Sequence, residues 1–186
     1  MRILVAEDDP IIALGLAERL RSLGHEPLTP VGDGEAAIAA AQSELPDLYL
    51  FDVDMPGVDG LAAAQRLASL GLGRPVVIVT GVDDAALIDR SVDAGVGAYL
   101  TKPVDERELD AAIRLAAARH EELRRAEQAL ADRKVIERAK GLLMSALQVS
   151  EPEAFRRLQL TARERNLRLV DVAHRIVAEE AVLRPR

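Results

Sequence analysis

An uninterrupted apolar run in the first half of the chain places the strongest constraint on the fold. Residues 48–51 are all apolar, the run ends on Asp52, and a Pro56-Gly57 turn signal follows. An unbroken run of this kind predicts a strand buried on both faces, as in a parallel sheet. Ligands bind beyond the carboxyl ends of such strands, so Asp52 is placed for chemistry. A lone Asp after a strand can instead cap the next turn. The functional interpretation of Asp52 therefore depends on whether other strand ends bring polar groups to the same place.

Apolar runs and helical spacings alternate five times over about the first 120 residues. The predicted strands are residues 2–6, 26–31, 48–52, 75–80 and 97–102. The predicted helices are residues 11–23, 34–43, 61–70 and a segment capped by Asp83 or Asp84 that runs to Asp93. This alternation predicts an α/β fold with one five-stranded, parallel, doubly wound sheet. Pro27 and Pro30 restrict the second strand to an edge of the sheet.

The composition excludes several classes of site. The chain has no Cys, so disulfides, zinc-thiolate sites and thiol catalysis are absent. No stretch approaches the roughly 18 apolar residues of a membrane span, and the chain begins with a strand pattern instead of a signal peptide. We therefore expect a cytoplasmic protein that makes no membrane contact.

Charge divides the chain into two parts. Residues 1–122 carry 10 Lys or Arg against 22 Asp or Glu, and residues 123–186 carry 14 against 9. The net charges are therefore −12 and +5. This asymmetry predicts two domains with different partners, residues 1–120 and 121–186, the second a candidate for binding a polyanion.

Helical spacing continues almost without interruption over about residues 105–147, and two shorter helices follow over residues 150–165 and 166–183. A long helix leading into a small all-α, three-helix domain is expected. Ser150 and Glu153 form a predicted capping box. One face of the last helix is apolar and would pack inward: Leu169, Val172, Ala173, Ile176 and Val177.

The long helix also carries a heptad seam, imperfect because His120 and Glu127 occupy core positions. Its members are Leu109, Ile113, Ala116, His120, Leu123, Glu127 and Leu130. A short or weak dimeric coiled coil is predicted, and a plain connecting helix is the alternative.

Four predicted strand ends bring polar groups to one crevice. They are Glu7 and Asp8, Asp52, Thr80, and Lys102. Carboxylates with backbone oxygens suit a hard divalent cation such as Mg²⁺. Asp52 would then act as a nucleophile, while the Lys102 ammonium and the metal charge stabilise a transferring phosphoryl group. The Lys102-Pro103 peptide is a candidate for the cis form.

These residues, in this order, make residues 1–120 resemble the receiver domain of two-component response regulators. The resemblance implies that Asp52 is phosphorylated by a sensor histidine kinase. It implies a magnesium site made of Glu7, Asp8, Asp52 and the Asp54 backbone carbonyl. Thr80 would be the switch hydroxyl, Tyr99 the aromatic residue that changes rotamer on activation, and Lys102 the lysine that precedes a cis proline. Small departures are Glu7, where Asp is more common, and Gly81, where Ala or Ser is common.

Three segments of the second half carry a second resemblance: residues 132–144, 153–158 and 171–173. They resemble the ANTAR module, an RNA-binding antiterminator domain of three helices. The resemblance implies binding to stem-loops in a nascent transcript, which prevents a terminator hairpin from forming, and a homodimer would match two stem-loops. Excess basic residues support a phosphate-binding surface. The candidates are Arg133, Lys134, Arg138, Lys140, Arg156, Arg157, Arg163, Arg165 and Arg168.

Two other functions compete with this interpretation. A DNA-binding response regulator is the first, but it requires a tight turn between short helices, usually with Gly, and Arg165-Asn166 stands there instead. The second is a phosphatase of the haloacid-dehalogenase type, because Asp52 and Asp54 have the spacing of the two aspartates in such enzymes. Such enzymes carry the pair after their first strand, followed by Gly-Thr, so we expect the chain not to be an enzyme.

Overall fold

A computed structural model describes residues 1–81 and 95–183, with side chains to residue 179. The helix predicted from Asp83 or Asp84 to Asp93 lies outside the described residues. The chain divides into two compact units, Met1–Glu122 and Leu123–Arg186. No helix in the described part of the chain is both long and apolar enough to span a bilayer.

The first unit contains the predicted five-stranded parallel sheet. Its strands are β1 (Arg2–Ala6), β2 (Glu26–Pro27), β3 (Leu48–Asp52), β4 (Val76–Thr80) and β5 (Ala98–Thr101). They are arranged in the order β2-β1-β3-β4-β5, so the order reverses between β1 and β3. Ala6 pairs with Phe51 across these two strands. Glu7 and Asp52 therefore leave the sheet side by side at the point where ligands bind in open α/β folds.

The helices of the sheet begin with aspartate caps. They are α1 (Pro10–Ser22), α2 (Gly34–Glu44) and α3 (Gly60–Ser69). Asp9, Asp33 and Asp59 each accept backbone N–H bonds from the first turn of the helix that follows. Such caps typically contribute about 1 kcal/mol each. Of the three acids after β1, Asp9 is therefore used as a helix cap, whereas Glu7 and Asp8 can contribute their carboxylates to the crevice.

Apolar layers cover both faces of the sheet. Tyr49, Phe51 and Ile78 face α2 and α3, whereas Leu50 and Val79 point to the opposite layer. The Tyr49 and Phe51 rings stack with centroids 5.2 Å apart, and the Tyr49 hydroxyl donates to the Leu72 carbonyl at 2.7 Å. Two large aromatic rings thus support the strand that ends at Asp52.

The long helix, α4 (Glu106–Leu147), corrects one prediction. Leu109, Ile113 and Ala116 are fully buried, packed in the sheet layer that also holds Leu50. A heptad seam cannot run through them, because their side chains already belong to the core of the first unit. The predicted seam is therefore wrong at Leu109, Ile113 and Ala116, and a coiled coil further along α4 stays a prediction. Further along α4, Leu123 and Leu130 are 61% and 56% exposed.

The second unit is built from the end of α4, α5 (Glu151–Glu164) and α6 (Leu169–Leu183). Its buried centre comprises Ala139, Leu158, Ala162, Val172 and Ala173. The predicted inward face of α6 is confirmed, since Leu169, Ile176 and Val177 pack against this centre.

Two local predictions in the second unit are wrong. Ser150 precedes α5 in an extended conformation, but its side chain makes no capping hydrogen bond, so the capping box is not formed. The helix α6 begins at Leu169 and not at Asn166, because Asn166 adopts a left-handed conformation with φ of 51°. The N–H of Leu167 donates to Ala162 O and that of Asn166 to Arg163 O, which ends α5 in a Schellman turn.

Candidate functional site

A lysine and two buried carboxylates meet beyond the ends of β1 and β3. The Lys102 ammonium lies 2.7 Å from Glu7 Oε2 and 3.2 Å from Asp52 Oδ2. Glu7 is 3% exposed and Asp52 4% exposed. The Lys102 ammonium thus pairs with two carboxylates in a site from which most water is excluded.

The end of the sheet determines where Lys102 stands. Its backbone N–H donates to Thr80 O at 2.7 Å, which continues the pairing of β5 with β4, and the peptide to Pro103 is cis as predicted. Because β4 lies between β5 and β3, the Lys102 side chain must extend across the end of β4 to contact Asp52. Only a long flexible cation suits that path.

An acidic cluster adjoins this lysine. Ligand atoms from Glu7, Asp8 and Asp52 all lie within 4.8 Å of one another, and Asp8 is exposed. Asp52 Oδ1 is buried and has no hydrogen-bond partner among the described residues. Three carboxylate oxygens, one of them unsatisfied, fit a hard divalent cation. The Asp54 carboxylate is not part of this cluster, and the role of its backbone carbonyl stays a prediction.

Burial and charge shape the ionisation of the site. Burial raises the pKa of Glu7, and the negative charge of Asp52 raises it further, against the opposing effect of the bond to Lys102. Burial alone would lower the pKa of Lys102, but its bond to Glu7 and the charge of Asp52 raise the pKa overall. The ammonium is therefore held protonated, and the crowded carboxylates favour an additional cation.

The two predicted switch residues occupy neighbouring strands. Thr80 ends β4, fully buried, and is paired in register with Thr101. Tyr99 lies opposite Ile78 on β5 and is half-buried against the core layer that contains Phe51. Both side chains thus stand on the side of β3 that Lys102 crosses.

Sequence reasoning missed Gly60, the first residue of α3. A Cβ atom built on Gly60 would lie 2.1 Å from the Asp52 carbonyl oxygen and 3.1 Å from Phe51 Cβ. Helix α3 can start beside β3 only because this position has no side chain. The signal was present in the sequence, as the Gly that closes the turn after Asp52.

In the second unit, several of the predicted RNA-binding cations are already paired. Lys140 is 8% exposed, and its ammonium contacts Glu151 at 2.6 Å and Glu137 at 2.9 Å and lies 5.7 Å from the centre of the Phe155 ring. These bonds raise the pKa of Lys140. Lys140 therefore joins α4 to the start of α5 and presents little charge at the surface.

Three arginines also have acidic partners. Arg156 and Arg157 contact Glu153 at 3.4 Å and 3.2 Å, and Arg168 binds the Asp171 carboxylate through two nitrogens. In contrast, four of the predicted RNA-binding cations are exposed and make no ion pair within the described part of the chain: Arg133, Lys134, Arg163 and Arg165.

Comparison with known proteins agrees with both halves of the structure. The response regulator receiver domain matches residues 3–114, and the ANTAR domain matches residues 124–177. The chain belongs to the response regulator family. This response regulator has an RNA-binding antitermination module as its output, and the DNA-binding alternative is not favoured.

Individual relatives cover different shares of this response regulator. The transcriptional regulatory protein PdtaR of Mycobacterium tuberculosis is 40% identical over 179 residues, which is 92% of this chain and 87% of PdtaR. The DNA-binding response regulator MtrA of Mycolicibacterium smegmatis is 34% identical over 121 residues, 65% of this chain and 52% of MtrA. The receiver domain of a modulated diguanylate cyclase from Desulfovibrio desulfuricans G20 has a TM-score of 0.58 at 32% identity, covering 63% and 93% of the two chains.

Proposed function

We propose that Asp52 accepts a phosphoryl group from a sensor histidine kinase and that this controls RNA binding by the second unit. The observation that carries the proposal is the Lys102 ammonium, 3.2 Å from one oxygen of a buried Asp52 whose other oxygen has no hydrogen-bond partner among the described residues. In the transfer, an Asp52 oxygen forms a bond to phosphorus while the phosphorus–nitrogen bond of a phosphohistidine breaks. Lys102 offsets the negative charge that builds on the phosphoryl oxygens.

A magnesium ion would be held by Glu7, Asp8, Asp52 and the Asp54 backbone carbonyl. When bound, it would supply positive charge next to the transferring group. The rest of the site is provided by the chain itself. Burial of Glu7 and Asp52 excludes water, which strengthens every charge interaction there.

Phosphorylation adds about two negative charges and three acceptor oxygens at Asp52. Thr80, buried at the end of the adjacent strand, can donate its hydroxyl to one of these oxygens. Tyr99 can then move into the space that Thr80 leaves, which changes the surface around β5. Thr80 and Tyr99 are thus the proposed switch.

The output would be binding of stem-loops in a nascent transcript, so that a terminator hairpin does not form. A homodimer formed on activation would present two basic units to two stem-loops. After the correction of the heptad seam, the exposed Leu123 and Leu130 are the apolar residues that could join two copies. Size measurement with and without a stable phosphoryl mimic tests this part, and an unchanged mass would contradict it.

Labelling with a small-molecule phosphodonor tests the phosphorylation site. Asp52→Asn should abolish incorporation, whereas Asp54→Asn should retain it, because the Asp54 side chain is exposed and only its backbone carbonyl is assigned to the metal. Equal incorporation by wild type and Asp52→Asn would end the assignment.

A gel-shift assay tests the output. The phosphorylated chain should retard an RNA with two stem-loops more strongly than a DNA duplex of equal length and charge. A preference for duplex DNA would favour the rival function instead.

A further inference from the structure

The four predicted RNA-binding cations that have no ion-pair partner among the described residues come from two different helices. Arg133 and Lys134 lie on α4, and Arg163 and Arg165 lie at the end of α5. We propose that these four residues form one surface, the basic end, which binds the phosphates of the RNA. The inference rests on the proposed RNA-binding function and assigns it to one end of the unit.

Helix geometry places the two pairs at the same level along the helix pair. A loop of only three residues, 148–150, connects α4 to α5, and short loops of this kind join antiparallel helices. Arg133 precedes the loop by 15 residues, and Arg165 follows it by 15 residues. At about 1.5 Å per residue, both lie about 22 Å from the loop, at the same level of the helix pair.

Side-chain contacts agree with this antiparallel arrangement. Near the loop, Lys140 on α4 bonds Glu151 in the first turn of α5. At the far end, the pKa of Arg168 is raised mainly by its bond to Asp171, and the charge of Asp132 adds to this, which is consistent with Asp132 lying near the connection between α5 and α6. The ends of the helix pair are therefore distinct, and the basic end is the one away from the loop.

The two ends differ in how their charges are used. At the loop end, Lys140, Arg156 and Arg157 contact glutamates. Binding a phosphate there would first require these ion pairs to break. At the basic end, Asp171 is paired with Arg168, whereas Asp132 accepts a hydrogen bond from the neutral Gln128 amide and keeps its negative charge.

Glu164 is also an acid at the basic end, and it is exposed. The four cations therefore outnumber the two carboxylates there, Asp132 and Glu164, that have no ion-pair partner among the described residues. Arginine presents a planar fork that matches phosphate oxygens, so Arg133, Arg163 and Arg165 can each bind a phosphate without breaking an existing ion pair. Release of counterions from the RNA then contributes to affinity.

Two double variants on the same helix test the proposal. Arg163→Gln/Arg165→Gln removes two charges from the basic end, and Arg156→Gln/Arg157→Gln removes two charges from the loop end. The probe is a labelled RNA with two stem-loops, titrated with the full-length phosphorylated chain at several salt concentrations. Circular dichroism melting verifies that both variants fold.

The Arg163/Arg165 variant should bind about 10- to 100-fold more weakly, and the slope of its affinity against salt concentration, on logarithmic axes, should become shallower by about 0.7–0.9 for each phosphate that is no longer bound. The Arg156/Arg157 variant should stay within about threefold of wild type. Equal weakening in the two variants, or a larger effect at the loop end, would overturn the inference while leaving RNA binding intact. Absence of RNA binding by the wild type would overturn the proposed function, and the basic end with it.

Discussion

Replacement of Gly60 by alanine should disable phosphorylation without touching any charged group. The new Cβ would lie 2.1 Å from the Asp52 carbonyl oxygen, whereas real Cβ contacts essentially never fall below 3.0 Å. The start of α3 and the end of β3 must therefore separate by about 0.9 Å. Because Asp52 ends β3, its carboxylate moves relative to Lys102, which is held on β5.

The magnitude follows from this displacement. A misplacement of about 1 Å can cost about 100-fold in rate, or about 2.7 kcal/mol in the barrier. Overpacking of a well-filled site typically lowers stability by about 1–3 kcal/mol, so the variant should fold with a reduced melting temperature. The labelling rate should thus fall by about two orders of magnitude in a folded protein.

The assay is the initial rate of phosphate incorporation from a small donor, with urea unfolding measured on the same preparation. Gly73→Ala is the matched control, because its Cβ would meet nothing closer than Ala68 Cα at 3.7 Å. The control should label at the wild-type rate. A folded Gly60→Ala protein that labels within threefold of wild type would refute the idea that close approach of α3 positions Asp52.

Three further results are expected. Mg²⁺ at 100 times its Kd should raise the free energy of unfolding by about 2.7 kcal/mol in urea titrations, and Asp8→Asn should lose most of that gain; equal gains would contradict the metal site. Burial, followed by the N-terminal amine, lowers the pKa of His25 below its ordinary 6.5, against an opposing effect of Asp110. The stability contributed by neutral His25 is therefore complete above pH 6.5 and declines as the pH falls through the lowered pKa. His25→Gln should flatten the drop in melting temperature between about pH 7 and 5, and an unchanged drop would argue against this role. Asn166→Ala should cost about 1–2 kcal/mol in thermal unfolding because of the left-handed backbone, while Asn166→Gly should cost much less; similar costs would show that the backbone is not the cause.

The sequence predicts the sheet and its polar strand ends well, because fully apolar runs in a parallel sheet have few alternative structures. The strand ending at Asp52 and the cis peptide before Pro103 are both present. Helical periodicity predicts which face of a helix is apolar, but it does not say which surface that face packs against. Leu109, Ile113 and Ala116 have the spacing of a coiled coil, but the surface they cover is the sheet of their own unit.

Charged residues in the second unit show a different limit. Lys140 looked like any other basic residue of a phosphate-binding surface, and only the folded chain brings Glu151 within 2.6 Å of it. Ser150 and Glu153 have the capping-box sequence, yet Glu153 contacts Arg156 and Arg157. Composition gives the excess of charge correctly, but the pairing that decides which charges are available depends on tertiary contacts.

The tyrosine placement gives the protein an internal optical reporter. The chain contains two tyrosines and no tryptophan. Tyr49 is buried with its hydroxyl bonded to Leu72, whereas Tyr99 is half-buried on β5. Ultraviolet emission is therefore free of indole background, and replacing Tyr99 by phenylalanine would leave Tyr49 as a constant reference. If phosphorylation changes the emission of the wild type but not that of Tyr99→Phe, the change comes from the Tyr99 ring, and no dye needs to be attached.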